Sequence, residues 1–228
     1  MAPKLAGDSA RTVITGVDYS GGGPLTAAQC KSNGISFVCR YVSNTSTAWN
    51  RAKTVRKSEI DDFRTGGVGV VIVFESTPGD ALGGYAQGAA NARLGDAQVT
   101  ERGIAGCPIY FAVDFDVVPS QYAVVDAYID GAASVVGPAR IGAYGSHRVI
   151  THLFDSRRIR YGWAAVAWGG VLDPRAHLFQ YGGGTVDGVS VDWNRTVCSD
   201  TDYGQAQHPP PIVLPGSWLG TLMNWSTS

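Results

Sequence analysis

Five carboxylates stand out by where they fall in the pattern of the chain: Asp18, Glu75, Asp114, Asp116 and Asp192. Each comes at or just past the end of a short run of apolar, often β-branched residues. Asp114 and Asp116 are two apart, as are Asp192 and Asn194, so each pair is expected to project to one side of an extended strand. Carboxyl groups crowded into a partly dehydrated place disfavour having all of them ionised, and at least one then keeps its proton to a higher pH. A protonated carboxyl near an ionised one suits hydrolysis of a glycosidic bond. The acid protonates the leaving oxygen, and its partner acts as base, nucleophile or electrostatic stabiliser of an oxocarbenium-like transition state. Each acid also has a structural alternative: Asp18 or Asp192 could cap a following turn, and Asp116 could begin a loop.

Other residues at comparable positions are binding groups by type. Arg40, Tyr144, Trp168 and Gln180 fall near the ends of further apolar runs, and Asn194 shares a side with Asp192. Flat aromatic faces beside hydrogen-bonding groups suit sugar rings. Arg40 could instead neutralise the acids, and Trp168 could plug a core. Tyr41 and Trp193 are expected to point the other way, away from the acids.

Such a gathering needs a frame that brings distant strand ends together. Eight apolar runs read as strands, centred on residues 13–17, 36–40, 70–74, 109–113, 140–144, 163–167, 177–180 and 189–192. They alternate with helical patterns, the signature of parallel βαβ units. Thr26, Ser58 (with Asp61 three residues on), Asp80, Ser120 and Ser146 can each open a helix. The helical signals fade after the sixth strand, and Gly182-Gly183-Gly184 leads almost directly into the eighth. The expected fold is α/β: a single (β/α)8 TIM-like barrel with reduced helices after strands six and seven. In such a barrel the C-terminal strand ends share one mouth. Residues 1–204 supply it, and 205–228 read as a Pro-rich linker, Pro209-Pro210-Pro211 to Pro215, with an apolar tail bearing Trp218, Leu222, Met223 and Trp225.

Composition narrows the classes of function. With 44% hydrophobic and 16% charged residues in a chain of 228, there is enough apolar surface for one core and little room for a second domain. The formal net charge is −1 and no basic block exceeds a pair, which argues against a nucleic-acid groove. No apolar run is long enough for a membrane span, and Met1 to Arg11 lacks the apolar core of a secretory signal. Export, if it occurs, takes another route. Cys30, Cys39, Cys107 and Cys198 lack CxxC spacing and nearby His partners, so no zinc site is expected, and a divalent cation held by the carboxylates stays a lesser alternative; Cys39 and Cys107 read as small core hydrophobes, and a Cys30–Cys198 bridge is open. Gly21-Gly22-Gly23 has no phosphate-loop lysine, and Ser146 sits in no G-x-S-x-G elbow.

The segments Gly16-Val17-Asp18-Tyr19-Ser20, Tyr110-Phe111-Ala112-Val113-Asp114-Phe115-Asp116 and Val191-Asp192-Trp193-Asn194, in this order across residues 12–200, resemble family 25 glycoside hydrolases, the lysozyme-type muramidases. They are closer still to the glycoside-hydrolase-like relatives found in actinobacterial cell-envelope and phage proteins. The resemblance implies a substrate of peptidoglycan or a related polysaccharide, no cofactor, and action outside the cell or on the cell wall, as in a phage or bacterial lysin. It also implies that Asp18, Asp114 and Asp192 are supporting or nucleophile-like carboxylates. The muramidases carry Glu, their general acid, where this chain has Asp116. That departure leaves three alternatives: a differently seated substrate, Glu75 as the acid, or a catalytically silent module that binds carbohydrate without cutting it.

Overall fold

A computed structural model describes residues 13–21, 23–197 and 202–206. Eight strands close into one barrel in sequence order: β1 (Thr15–Asp18), β2 (Phe37–Val42), β3 (Gly69–Phe74), β4 (Ile109–Ala112), β5 (Ile141–Ser146), β6 (Tyr161–Ala165), β7 (Leu178–Val186) and β8 (Val189–Thr196). Helices α1 (Ala27–Ser32), α2 (Ala48–Lys53), α3 (Lys57–Gly66), α4 (Gly84–Glu101), α5 (Tyr122–Val136) and α6 (His147–Asp155) occupy the connections up to β6. After β6 there is only a short 3-10 turn, Val166–Trp168. The TIM-like barrel with its thinned side is the architecture the sequence predicts.

One departure has a direct cause. β1 to β7 run parallel, but β8 is antiparallel to both its neighbours, β7 and β1. A parallel strand needs a crossover of a dozen or more residues, whereas only Asp187 and Gly188 separate β7 from β8. Both have positive φ, 46° and 83°, the conformation of a tight two-residue hairpin turn. The triple glycine predicted as a connection is therefore part of β7.

Strand alternation sorts the side chains into two layers. Phe37, Cys39, Val71, Val73, Tyr110 and Trp163 fill the barrel interior. Val38, Val70, Ile72, Phe74 and Phe111 face outward to the helices. Strands buried on both faces must be apolar throughout, which explains the unbroken hydrophobic runs. Burying each of the larger side chains contributes roughly 1.5–3 kcal/mol. Below the interior layer the chain returns: Gln205 pairs with Val71, the Ala206 N–H donates to the Val70 carbonyl at 2.7 Å, and the Tyr110 hydroxyl donates to the Tyr203 carbonyl at 2.7 Å. On the outside, α4 and α5 meet at two glycines. A Cβ on Gly88 would sit 1.9 Å from the Tyr128 carbonyl oxygen, and one on Gly131 2.1 Å from that of Tyr85.

Helix starts follow side-chain chemistry. Thr26 and Ser146 cap α1 and α6 by accepting from the Gln29 and Val149 N–H groups. Ser58 does not open α3; the helix begins at Lys57, and Glu59 reaches back to the Arg56 N–H at 3.1 Å. Asp80 and Ser120 lie in 3-10 turns ahead of α4 and α5 rather than at their caps. Asp80 instead accepts from the Ser76 and Thr77 N–H groups, because its side chain bends back over the loop. Cys30, Cys39 and Cys107 are buried; Cys198, and with it the bridge to Cys30, lies outside the described residues, as do the proline run, the apolar tail and the N-terminal segment.

Candidate active site

The inward rows of the strands end in polar side chains, and these enclose a cavity of about 170 Å³ at the barrel mouth. Its floor is Val73 and Ala112; its walls bring together Asp18, Glu75, Asp114 and Asp192 with Tyr41, Tyr144, Trp163 and Gln180. Asp192, expected at the end of the last strand, lies within it. The reversed β8 enters from the mouth side and places Asp192 opposite Asp18 in the register. Two residues deeper, Asn194 is fully buried.

A directed hydrogen-bond network holds Asp18. The indole N–H of Trp163 can only donate, and it does so to Asn194 Oδ1 at 2.8 Å. The Asn194 amide N–H₂ is thereby turned to Asp18 Oδ2, at 2.7 Å. In the same way the Tyr144 hydroxyl donates to Gln180 Oε1 at 2.9 Å, which leaves Gln180 Nε2 to donate to Asp18 Oδ2 at 2.8 Å. Tyr41 also hydrogen-bonds to Asp18. Burial pushes the Asp18 carboxyl up to about 7, even though these three donors favour its ionised form. Asp114 is pushed up to about 6, first by burial and then by the charge of Glu75, with Lys53 opposing. Burial also raises Asp192. Glu75 pairs with Lys53 at 3.1 Å, and the ammonium lies 4.9 Å from the centre of the Tyr41 ring.

Three of the residues read from the sequence fall elsewhere. Arg40 points outward: its guanidinium donates to Glu59 on α3 at 3.1 Å and to the Tyr19 carbonyl, and lies over the Tyr19 ring. The inward position at the end of β2 belongs to Tyr41, one residue on, which the sequence reading placed outside. Asp116 is exposed and bonded to Arg148 on α6 at 2.7 Å. β4 ends at Ala112, so the two-residue alternation linking Asp114 to Asp116 no longer holds in the loop beyond it. Trp168 stands against Tyr144, ring centres 6.3 Å apart, and does not line the cavity.

Tyr41, Trp163 and Lys53 are site residues that the sequence reading missed. Phe37 and Cys39 share Tyr41's phase in β2, and that interior apolar row was the available signal. Lys53 carries none, since it arrives from α2, outside any strand. Among the described residues no group of three or more His, Cys, Asp or Glu side chains is arranged to hold a metal ion.

Residues 28–204 match the family described as Rv2525c-like, glycoside hydrolase-like domain. No curated protein matches the sequence. Among solved structures, the Tat-secreted protein Rv2525c of Mycobacterium tuberculosis, in complex with L-tartrate, is similar with a TM-score of 0.79 and 29% identity, over 85% of this chain and 98% of that one. An uncharacterized protein of B. stearothermophilus has a TM-score of 0.58 at 19% identity, over 79% of this chain and 94% of that one. The spore cortex lytic enzyme SleM of Clostridium perfringens has a TM-score of 0.54 at 14% identity, over 85% of this chain and 69% of that one. In the last two the likeness is one of fold.

Proposed function

The chain belongs to the Rv2525c-like family of glycoside hydrolase-like domains, and from that premise we propose that it hydrolyses a glycosidic bond in cell-envelope glycan, peptidoglycan or a related polysaccharide. The observation that carries this reading is Asp114: a carboxyl raised to about 6 at the cavity wall, in the field of Glu75. A carboxyl that holds its proton beside a second acid is the pairing such hydrolysis uses. In this reading Asp114 gives its proton to the leaving oxygen as the C–O bond breaks, water adds to the anomeric carbon, and the proton that water releases restores Asp114 through solvent. Glu75, set against Lys53, and Asp192 supply negative charge to the sugar cation that develops. Tyr144 offers its ring to the sugar, with Trp163 packed behind it, and Asp18, Gln180 and Tyr41 offer hydrogen bonds to its hydroxyls. The chemistry needs no cofactor.

The similarity to a Tat-secreted protein supports action outside the cell, and a lytic enzyme of the spore cortex on the same fold is consistent with a cell-wall substrate. The test is release of reducing ends from purified peptidoglycan between about pH 4 and pH 8. Activity should fall as pH rises through about 6, where Asp114 loses its proton, and should be lost in Asp114→Asn. No release by folded protein at any pH rejects the assignment. A second reading, a module that binds glycan without cleaving it, is favoured by one observation: Asp116, where the resembling muramidases carry their acid, is turned out to Arg148. Measurable glycan affinity with no product would select it.

A further inference from the structure

The exposed apolar side chains are unevenly placed. Of the eight large hydrophobics exposed among the described residues, five lie in the connections that leave C-terminal strand ends: Trp49 after β2, Leu82 after β3, Val118 after β4, Val166 and Val171 after β6. Trp49 is 60% and Val171 88% exposed. Single exposed hydrophobics are ordinary, but a concentration on one face marks an interaction surface. These connections leave the barrel at the end where the cavity opens, and they come from both sides of it.

The residue types narrow the partner. Sugar rings stack on flat aromatic faces; Leu82, Val118, Val166 and Val171 have none. Aliphatic side chains spread around a mouth suit a broad apolar layer better than a polymer threaded along a cleft. Charge adds a second constraint. The connection that carries Trp49 also carries Arg51, Arg56 and Lys57, which with Arg102 line a shallow groove of about 470 Å³ in which Glu101 is the acidic member. Lys57 pairs with Asp61 and Arg102 with Glu101, while Arg51, which donates to the Thr45 and Ser46 carbonyls, and Arg56 form no ion pair among the described residues. Aromatic and aliphatic anchors beside cations are the composition of a surface that sits at a lipid interface bearing phosphate.

We propose that the mouth face docks on an anionic lipid surface. Trp49 and the aliphatic side chains enter the headgroup layer, while Arg51 and Arg56, whose charges no carboxylate neutralises, meet lipid phosphate. The glycan delivered to the cavity is then one carried on a lipid, a consequence that rests on the glycosidase reading above. The cavity's size agrees: about 170 Å³ is small against the roughly 300–1,000 Å³ of most ligand sites, so it takes a single terminal sugar standing up from the surface.

Sedimentation of the full chain with vesicles tests the docking, using phosphatidylcholine alone and phosphatidylcholine mixed with phosphatidylglycerol. The protein should sediment with the mixed vesicles, and less so as salt is raised. Trp49→Ala and Val171→Asp should each weaken binding by about tenfold or more, and Arg56→Glu should weaken it on the mixed vesicles. All three sites are exposed, so the variants should keep the wild-type circular dichroism. Asp114→Asn should bind vesicles as wild type does, which separates failure of the docking from failure of the glycosidase reading. The proposal is overturned if neither vesicle retains the protein, or if Val171→Asp binds undiminished. It is also overturned if insoluble cell-wall glycan retains the protein through Trp49 while vesicles do not, which would assign the face to a polysaccharide.

Discussion

Replacing Asp18 with Asn should make the protein more stable in mildly alkaline solution and leave it nearly unchanged in acid. Asp18 is 2% exposed, and its carboxyl is raised from 3.8 to about 7 in the fold. Between those two values the native state holds a proton that the unfolded chain has released. Stability therefore falls as pH rises through the interval, and the loss is complete above about pH 7. A rise of this size corresponds to about 4 kcal/mol. Asn has nearly the same shape and avoids the penalty. Its carbonyl oxygen can accept from Asn194 and Gln180 as Asp18 Oδ2 does, and its amide can donate to the Tyr41 hydroxyl, which accepts as readily as it donates. Urea unfolding of both proteins at pH 4 and pH 8 gives the comparison. The expected result is agreement within about 1 kcal/mol at the lower pH and an advantage of about 4 kcal/mol for Asn at the higher, with equal m-values. Parallel stability–pH curves for the two proteins would refute the reasoning, because burial of a titrating carboxyl would then not be what raises Asp18. A residue that costs stability at neutral pH, amid donors arranged to hold it, is expected where a carboxyl is kept for function.

Three further perturbations probe the frame around the site. Glu75→Gln removes a charge that raises Asp114, so the Asp114 carboxyl should titrate at lower pH in the variant, as read by carbon NMR of that side chain. Arg40→Met leaves Glu59 buried without its ion-pair partner and should lower stability by about 3 kcal/mol, while glycan affinity stays as in wild type because Arg40 faces α3 and not the cavity; chemical denaturation and a binding titration measure the two. Gly88→Ala forces a Cβ to within 1.9 Å of the Tyr128 carbonyl and must push α4 from α5. A loss of about 1–3 kcal/mol in urea unfolding is expected, whereas Gly79→Ala, with open space around it, should cost far less.

Much of the site was legible because barrels turn chain order into geometry. Asp18, Glu75 and Asp114 end apolar runs, and runs buried on both faces are hard to mistake. Gln180 and Tyr144 were found by the same rule. The errors came where the rule stops. Arg40 and Tyr41 are neighbours, and a shift of one residue exchanges inside for outside; a charged residue was placed in the mouth when its partner was Glu59, on a helix that follows much later. Asp116 was carried inward by an alternation that had ended at Ala112.

The sequence by itself determined the barrel, its order of strands, its thin side after β6 and the acids at its mouth, since all of these follow from local periodicity and the ends of apolar runs. The direction of β8 and the inward phase of Tyr41 were also written locally, in the Asp187-Gly188 turn and the Phe37 and Cys39 row, whereas tertiary structure alone decided the outward turn of Asp116 and the pairing of Lys53 with Glu75. It also set the protonation of Asp18 and Asp114, because desolvation and the field of a neighbouring charge depend on which distant segments close around a carboxyl, and no local pattern records that.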